Sequence, residues 1–298
     1  MSQAASQQID ILKDLPTAFP RRIVCLTEET TETLYLLGEQ DRIVGVSGYT
    51  VRPPEARKKP KVSAFITAKF EKIIDLKPDL VFAFSDLQAD ITAELIRRGV
   101  SVFAFNQRGV GEILEMILTV ARIVGRPEKG ERLVSDLQAD LAAVSRSAAQ
   151  FPRRPRVFFE EWYDPLISGI RWTEELVEIA GGEPLFPELR RQPSAKHRIV
   201  AAEDVARLDP EVIIASWCGR HVRKPLIRQR SGWENVAAVR NNHIYEVKSA
   251  YILQPGPAAL TEGVKQLHAL LAHVVGVEPP SELRPHEATD LTAPEPGL

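Results

Sequence analysis

The chain has few of the features that usually announce a function. It carries two cysteines, Cys25 and Cys218, in 298 residues. That excludes a disulfide framework as the source of its stability. No apolar run reaches the roughly 20 residues a membrane-spanning helix needs. The net charge of −2 removes the broad basic surface on which nucleic-acid binding depends. There is no G-x-S-x-G elbow, no phosphate-binding P-loop and no dinucleotide fingerprint. No catalytic residue is therefore assigned, and the chain reads as a non-enzyme. Met1–Arg22 lacks a basic segment followed by an apolar core, so it reads as a polar lead-in. The expected address is cytoplasmic, or periplasmic if a signal peptide has been removed. The Pro-rich, polar stretch 278–298 predicts a disordered tail.

What is present points to an α/β fold. The stretch Pro127–Gln150 places Leu133, Leu137, Leu141 and Val144 on one stripe at helical spacing. Pro127 and Glu128 suit the first turn of a helix. The sequence on either side of this helix is related. Glu71–Ser85 and Glu203–Trp217 each read as a short helix, a Leu-x-Pro-acid turn and an apolar run. Leu80–Phe84 and Val212–Ala215 lack alternation, which predicts strands buried on both faces of a parallel sheet. Thr31–Gly38 and Thr173–Gly182 each predict a helix with a Thr-Glu start and a Gly stop. Strands are predicted before them at Ile23–Leu26 and Val157–Phe159. The pattern gives two α/β lobes with mostly parallel sheets, 23–126 and 151–277, joined by the long helix 127–150.

Ligands of open α/β sheets gather at the carboxyl ends of strands, so the strand-end loops supply the candidates. Tyr49, Phe65, Trp162, Tyr163, Trp172 and Trp217 form an aromatic set suited to the walls of a small-molecule pocket. Lys196, His197, Arg198, Arg220, His221 and Arg223 form a basic set suited to phosphate or carboxylate, or simply a solvated loop. Cys218 and His221 have a C-x-x-H spacing, with Glu28, Glu29, Glu160 and Glu161 in nearby loops. No second pair completes a metal site, so none is assigned, and Cys218 is read as touching a ligand. Glu160 and Glu161 are adjacent, so on a strand end they face opposite ways and do not form an acid–base dyad.

With these residues in view, the chain from Arg22 to Val275 resembles the substrate-binding proteins of ABC importers for iron complexes and vitamin B12. The resemblance rests on Thr31–Leu34, Asp41–Val46, Phe70–Val81, Glu175–Gly182 and Trp233–Val239 running to Ile244–Val247. It implies a ligand cleft between the lobes and small lobe motions. It also implies that Glu71 and Glu203, one per lobe, dock on arginines of a membrane permease. No prosthetic group is implied. The ligand would be cobalamin or a related metal chelate, with a ferric siderophore or haem as the alternative. The ligand-binding set is Tyr49, Phe65, Glu161, Trp162, Tyr163, Trp217, Cys218, Arg220 and His221. A soluble carrier suits a cytoplasmic address. An enzyme using Glu161, Cys218 and His221, or a sensor with an anionic partner, stays open.

Overall fold

The computed structural model describes residues 20–192 and 194–286; most of the lead-in and the tail from residue 287 lie outside them. The amino-terminal lobe is built on a sheet ordered β3-β2-β1-β4-β5. Its strands are β1 (Ile23–Cys25), β2 (Ile43–Ser47), β3 (Lys61–Ser63), β4 (Leu80–Phe84) and β5 (Val102–Phe105). Every pairing is parallel. Helices α1 (Glu28–Leu36), α2 (Phe70–Asp75) and α3 (Ala89–Arg97) supply crossovers, and α4 (Val110–Ile123) leads out of the sheet after β5. Alternate sheet residues feed two layers, as a pleat requires. Val24, Val81 and Ala83 pack with Ile73, Ile91 and Leu95 on one face. Cys25 and Phe82 pack with Leu34, Ile113 and Ile117 on the other.

Helix α5 (Pro127–Ala148) follows, with Pro127 in its first turn. Its 22 residues span about 33 Å. The carboxy-terminal lobe has the order β10-β9-β6-β7, with β8 also on β6. These are β6 (Arg156–Tyr163), β7 (Leu166–Ser168), β8 (Glu183–Pro184), β9 (Val212–Ala215) and β10 (Ile244–Glu246). Only β6–β7 is antiparallel among these pairings. The helices that frame this lobe are α6 (Arg171–Ala180), α7 (Ala202–Leu208) and, after several short turns, α8 (Val264–Val274).

One apolar cluster runs through both lobes. It joins Phe82 of β4, Val134, Leu141 and Val144 of α5, Phe159 of β6 and Leu267 of α8. Polar contacts also cross between the lobes. Glu175 accepts from the Val110 amide at 2.7 Å, and Arg171 pairs with Glu112 at 2.9 Å. On the other side Glu32 accepts from the Ala258 amide, and Gln107 donates to the Pro255 carbonyl. Gly256 approaches so closely that a Cβ there would lie 2.5 Å from Glu29 Cβ. A shared core with clasps on two sides resists wide opening.

The structure differs from the sequence reading in three places. Helix α1 begins at Glu28 and α6 at Arg171, each before the Thr-Glu pair taken as a start. In α1 the acids Glu28 and Glu29 occupy the first turn, both buried. Trp162 and Tyr163, expected in a strand-end loop, lie instead in a hairpin, where they pair with Ile167 and Leu166. Residues 278–286, predicted to be disordered, pack onto the carboxy-terminal lobe. Leu283 enters the core and the His286 amide donates to Glu262.

Candidate functional site

Loops from both sheets converge on a cavity of about 740 Å³ between the lobes. The amino-terminal lobe contributes Glu28 after β1, Tyr49 and Val51 after β2, and Phe65 after β3. It adds Phe84, Asp86 and Leu87 at the end of β4, and Arg108 beyond β5. From the other lobe come Glu161 of β6, Ile170 and Trp172 at the start of α6, and Cys218 and Gly219 after β9. Ser194, Ala195, Lys196 and Arg198, with Ser249, Ala250, Leu253, Gln254 and Pro255, complete the wall. The lining is largely apolar, with charged groups at a few points, the usual make-up of a small-molecule site.

Tyr49 lines the cleft and is 51% exposed. Trp172 is buried and fixed by a bond from its indole N–H to the Ile252 carbonyl, 2.8 Å. Glu161 accepts both arms of the Arg198 guanidinium at 2.7 and 2.9 Å. Arg198 is 1% exposed and also donates to the Ser168 carbonyl. Arg108 pairs with Asp86 at 3.0 Å and lies 5.3 Å over the Phe84 ring. The sheet register slips between Glu160 and Trp162, and the two glutamates find separate partners. Glu160 is fully buried on the outer face, held by Arg230 at 2.9 Å and by the Trp217 indole at 3.2 Å.

Burial pushes the Glu28 carboxyl up to about 7, against the pull of Lys61. Burial also raises the Cys218 thiol, helped by the carboxylates of Glu28 and Glu161, so it remains a neutral thiol at physiological pH. His221 lies apart, 90% exposed and 3.7 Å from Glu246. Among the described residues no group of three or more His, Cys, Asp or Glu side chains is arranged to hold a metal.

The nine sequence candidates therefore divide. Tyr49, Phe65, Glu161 and Cys218 line the cavity. Trp162, Tyr163, Trp217, Arg220 and His221 do not. Trp217 is buried in the outer layer of its lobe, its ring tilted against that of Tyr163 at 4.7 Å, and Arg220 caps the Trp162 ring at 5.5 Å. These aromatics are paired with the sheet rather than with the cleft. Asp86, Arg108 and Leu253 were not singled out as site residues by residue type. The first two stand two and three residues beyond the ends of β4 and β5, and that position was the available signal. Glu71 and Glu203 are exposed in the first turns of the equivalent helices α2 and α7. Glu71 also accepts from Arg98 at 2.6 Å.

The sequence profile of the periplasmic binding proteins matches residues 23–251. The chain belongs to the periplasmic binding protein family. It is 29% identical to the vitamin B12-binding protein of Vibrio parahaemolyticus, over 80% of this chain and 85% of that one. It is 27% identical to an uncharacterised ABC transporter substrate-binding lipoprotein of Bacillus subtilis, over 90% and 83%. The crystal structure of the periplasmic vitamin B12 binding protein of Vibrio cholerae superposes with a TM-score of 0.69 at 25% identity, covering 86% of this chain and 98% of that one. A periplasmic haem-binding protein from Roseiflexus reaches 0.73 at 22% identity over 86% and 99%, and shows the shared fold. Membership in this ABC-importer family implies a small-molecule ligand and a membrane permease. Among the described residues no helix is long and apolar enough to cross a membrane.

Proposed function

We propose that this periplasmic binding protein holds a bulky metal chelate, a corrinoid such as cobalamin first, between its lobes and delivers it unaltered to an ABC permease. The observation that carries the reading is the interlobe cavity of about 740 Å³ walled by Tyr49, Phe65, Phe84 and Trp172. Flat aromatic and apolar walls suit the face of a macrocycle, and sparse polar groups suit its amide arms. The similarity to vitamin B12-binding proteins supports the same ligand class. Binding without turnover is part of the proposal: a raised thiol at Cys218 and an ion-paired Glu161 offer no activated nucleophile or base. A second reading, haem or a ferric siderophore, draws on Arg108, Lys196 and Arg198 in the lining. Glu71 and Glu203 are the proposed permease contacts. Delivery to an importer places the protein outside the cytoplasmic membrane, in place of the cytoplasmic address read from the amino terminus.

The test is a calorimetric and visible-absorbance titration with cyanocobalamin and aquocobalamin. Saturable one-to-one binding with no chemical change in the recovered ligand is expected. Absence of binding to both, with saturable binding of haemin, would move the assignment to the second reading.

A further inference from the structure

The two arginines of the cleft do not stand open to a ligand. Arg108 from one lobe is held by Asp86 at 3.0 Å. Arg198 from the other is held by both oxygens of Glu161 at 2.7 and 2.9 Å. All four residues line the same cavity. Glu28 adds a third carboxyl and Lys196 a third cation. The two guanidinium groups are near enough for Arg198 to disfavour the charge on Arg108, alongside its burial. A cleft built to grip a dianion would leave such forks open, since a bidentate fork bonds one carboxylate well at a time. Here both forks already have a carboxylate. An anionic ligand would have to displace it or sit beside it, and in a partly desolvated cleft either is costly.

We propose that Asp86 and Glu161 set the charge specificity of this cleft, so that it takes chelates of low net charge and turns away chelates bearing two or more carboxylates. Resting on the chelate reading above, this narrows the ligand class. Glu161 acts as a fixed gate: its partner Arg198 is 1% exposed and anchored on the Ser168 carbonyl, so the pair cannot turn outward together. Asp86 is the exposed counterpart, with two thirds of its side chain open to solvent. Specificity here comes from repulsion of the wrong ligand as well as attraction of the right one.

The experiment measures affinity for cyanocobalamin and for haemin, a dicarboxylate, in the full chain and in Asp86→Asn and Glu161→Gln. The expected result is a preference for cyanocobalamin in the parent protein, and haemin affinity rising about tenfold in each variant, the size of one charge-assisted bond. Cyanocobalamin affinity should not rise with that of haemin in either variant, since a neutral ligand gains nothing from removal of a carboxylate charge. The gain in haemin binding should shrink with added salt. Asp86 is exposed, so its variant reports even if Glu161→Gln fails to fold. Unchanged haemin affinity in Asp86→Asn, with cyanocobalamin bound as before, would overturn the charge filter and leave the corrinoid reading standing. A haemin gain without any cyanocobalamin binding would keep the filter and discard the corrinoid. Equal affinity of the parent protein for both ligands would overturn the filter, and binding of neither by any variant would remove both.

Discussion

Glu174, just beneath the cleft wall at the start of α6, offers a sharp test of the electrostatics. It is buried at 3% exposure, and its Oε2 has no hydrogen-bond partner in the protein. Burial raises its carboxyl from 4.5 to about 8, and the nearby Arg190 and Arg198 only partly offset this. Both arginines are engaged elsewhere, with Glu178 and Glu161. The folded pKa is raised, so the favourable contribution is complete below about 4.5 and is lost as pH climbs towards 8. Each pH unit in that window costs about 1.4 kcal/mol. Between pH 5 and 7.5 the single group would therefore remove about 3 kcal/mol of stability. Glu174→Gln keeps the shape and is neutral throughout. Urea unfolding at pH 5 and 7.5 should show the variant losing about 3 kcal/mol less than the parent over that interval, and ending as the more stable protein at pH 7.5. Comparing the two proteins removes the contributions of Glu28 and Glu29, which are raised in the same direction. It also removes that of His268, whose buried imidazole is lowered and acts in the opposite sense. Parallel pH profiles for parent and variant would refute the reasoning and show that Glu174 is ionised in the folded state.

Tyr49→Ala should weaken chelate binding about tenfold with a change in stability below about 1 kcal/mol, because the ring faces the cleft rather than a core. Trp217→Ala should do the reverse, costing about 3–5 kcal/mol in urea unfolding through loss of a fully packed ring; equal effects on binding would sink the assignment of the two residues. Gly256→Ala should destabilise by about 1–3 kcal/mol, since its Cβ would meet the Glu29 backbone as well as its side chain. Gly111→Ala, in open space on helix α4, should stabilise by about 0.5–1 kcal/mol. Arg230→Met would strand Glu160 in a fully buried position and cost about 3–5 kcal/mol, most of it recovered by adding Glu160→Gln. A double variant no more stable than Arg230→Met alone would contradict the pairing.

The parts of this protein that were legible in the sequence are those set by local chemistry. Leu80–Phe84 and Val212–Ala215 announce central strands because a strand covered on both faces has no reason to alternate. The stripe on Pro127–Ala148 announces a helix with one buried face. Tyr49 and Phe65 stand out as large aromatics in strand-end loops, but the same signal at Trp217 marks packing within its own lobe. What escaped depends on contacts between distant parts of the chain. Glu161 meets Arg198 across 37 residues and Glu160 meets Arg230 across 70. Nothing in the run Glu160-Glu161-Trp162-Tyr163 states which side chain goes to which face. That choice is made when Trp162 and Tyr163 pair with Ile167 and Leu166, and the register slips beside Glu161. A one-residue shift exchanges the faces of a strand. The same shift would therefore turn the acid away from the cleft and an aromatic into it. The charge character of the site thus rests on a detail of strand pairing, and only the sheet itself displays it. The short turn Asp164-Pro165 between two β-forming runs was the one local sign that such a pairing was there.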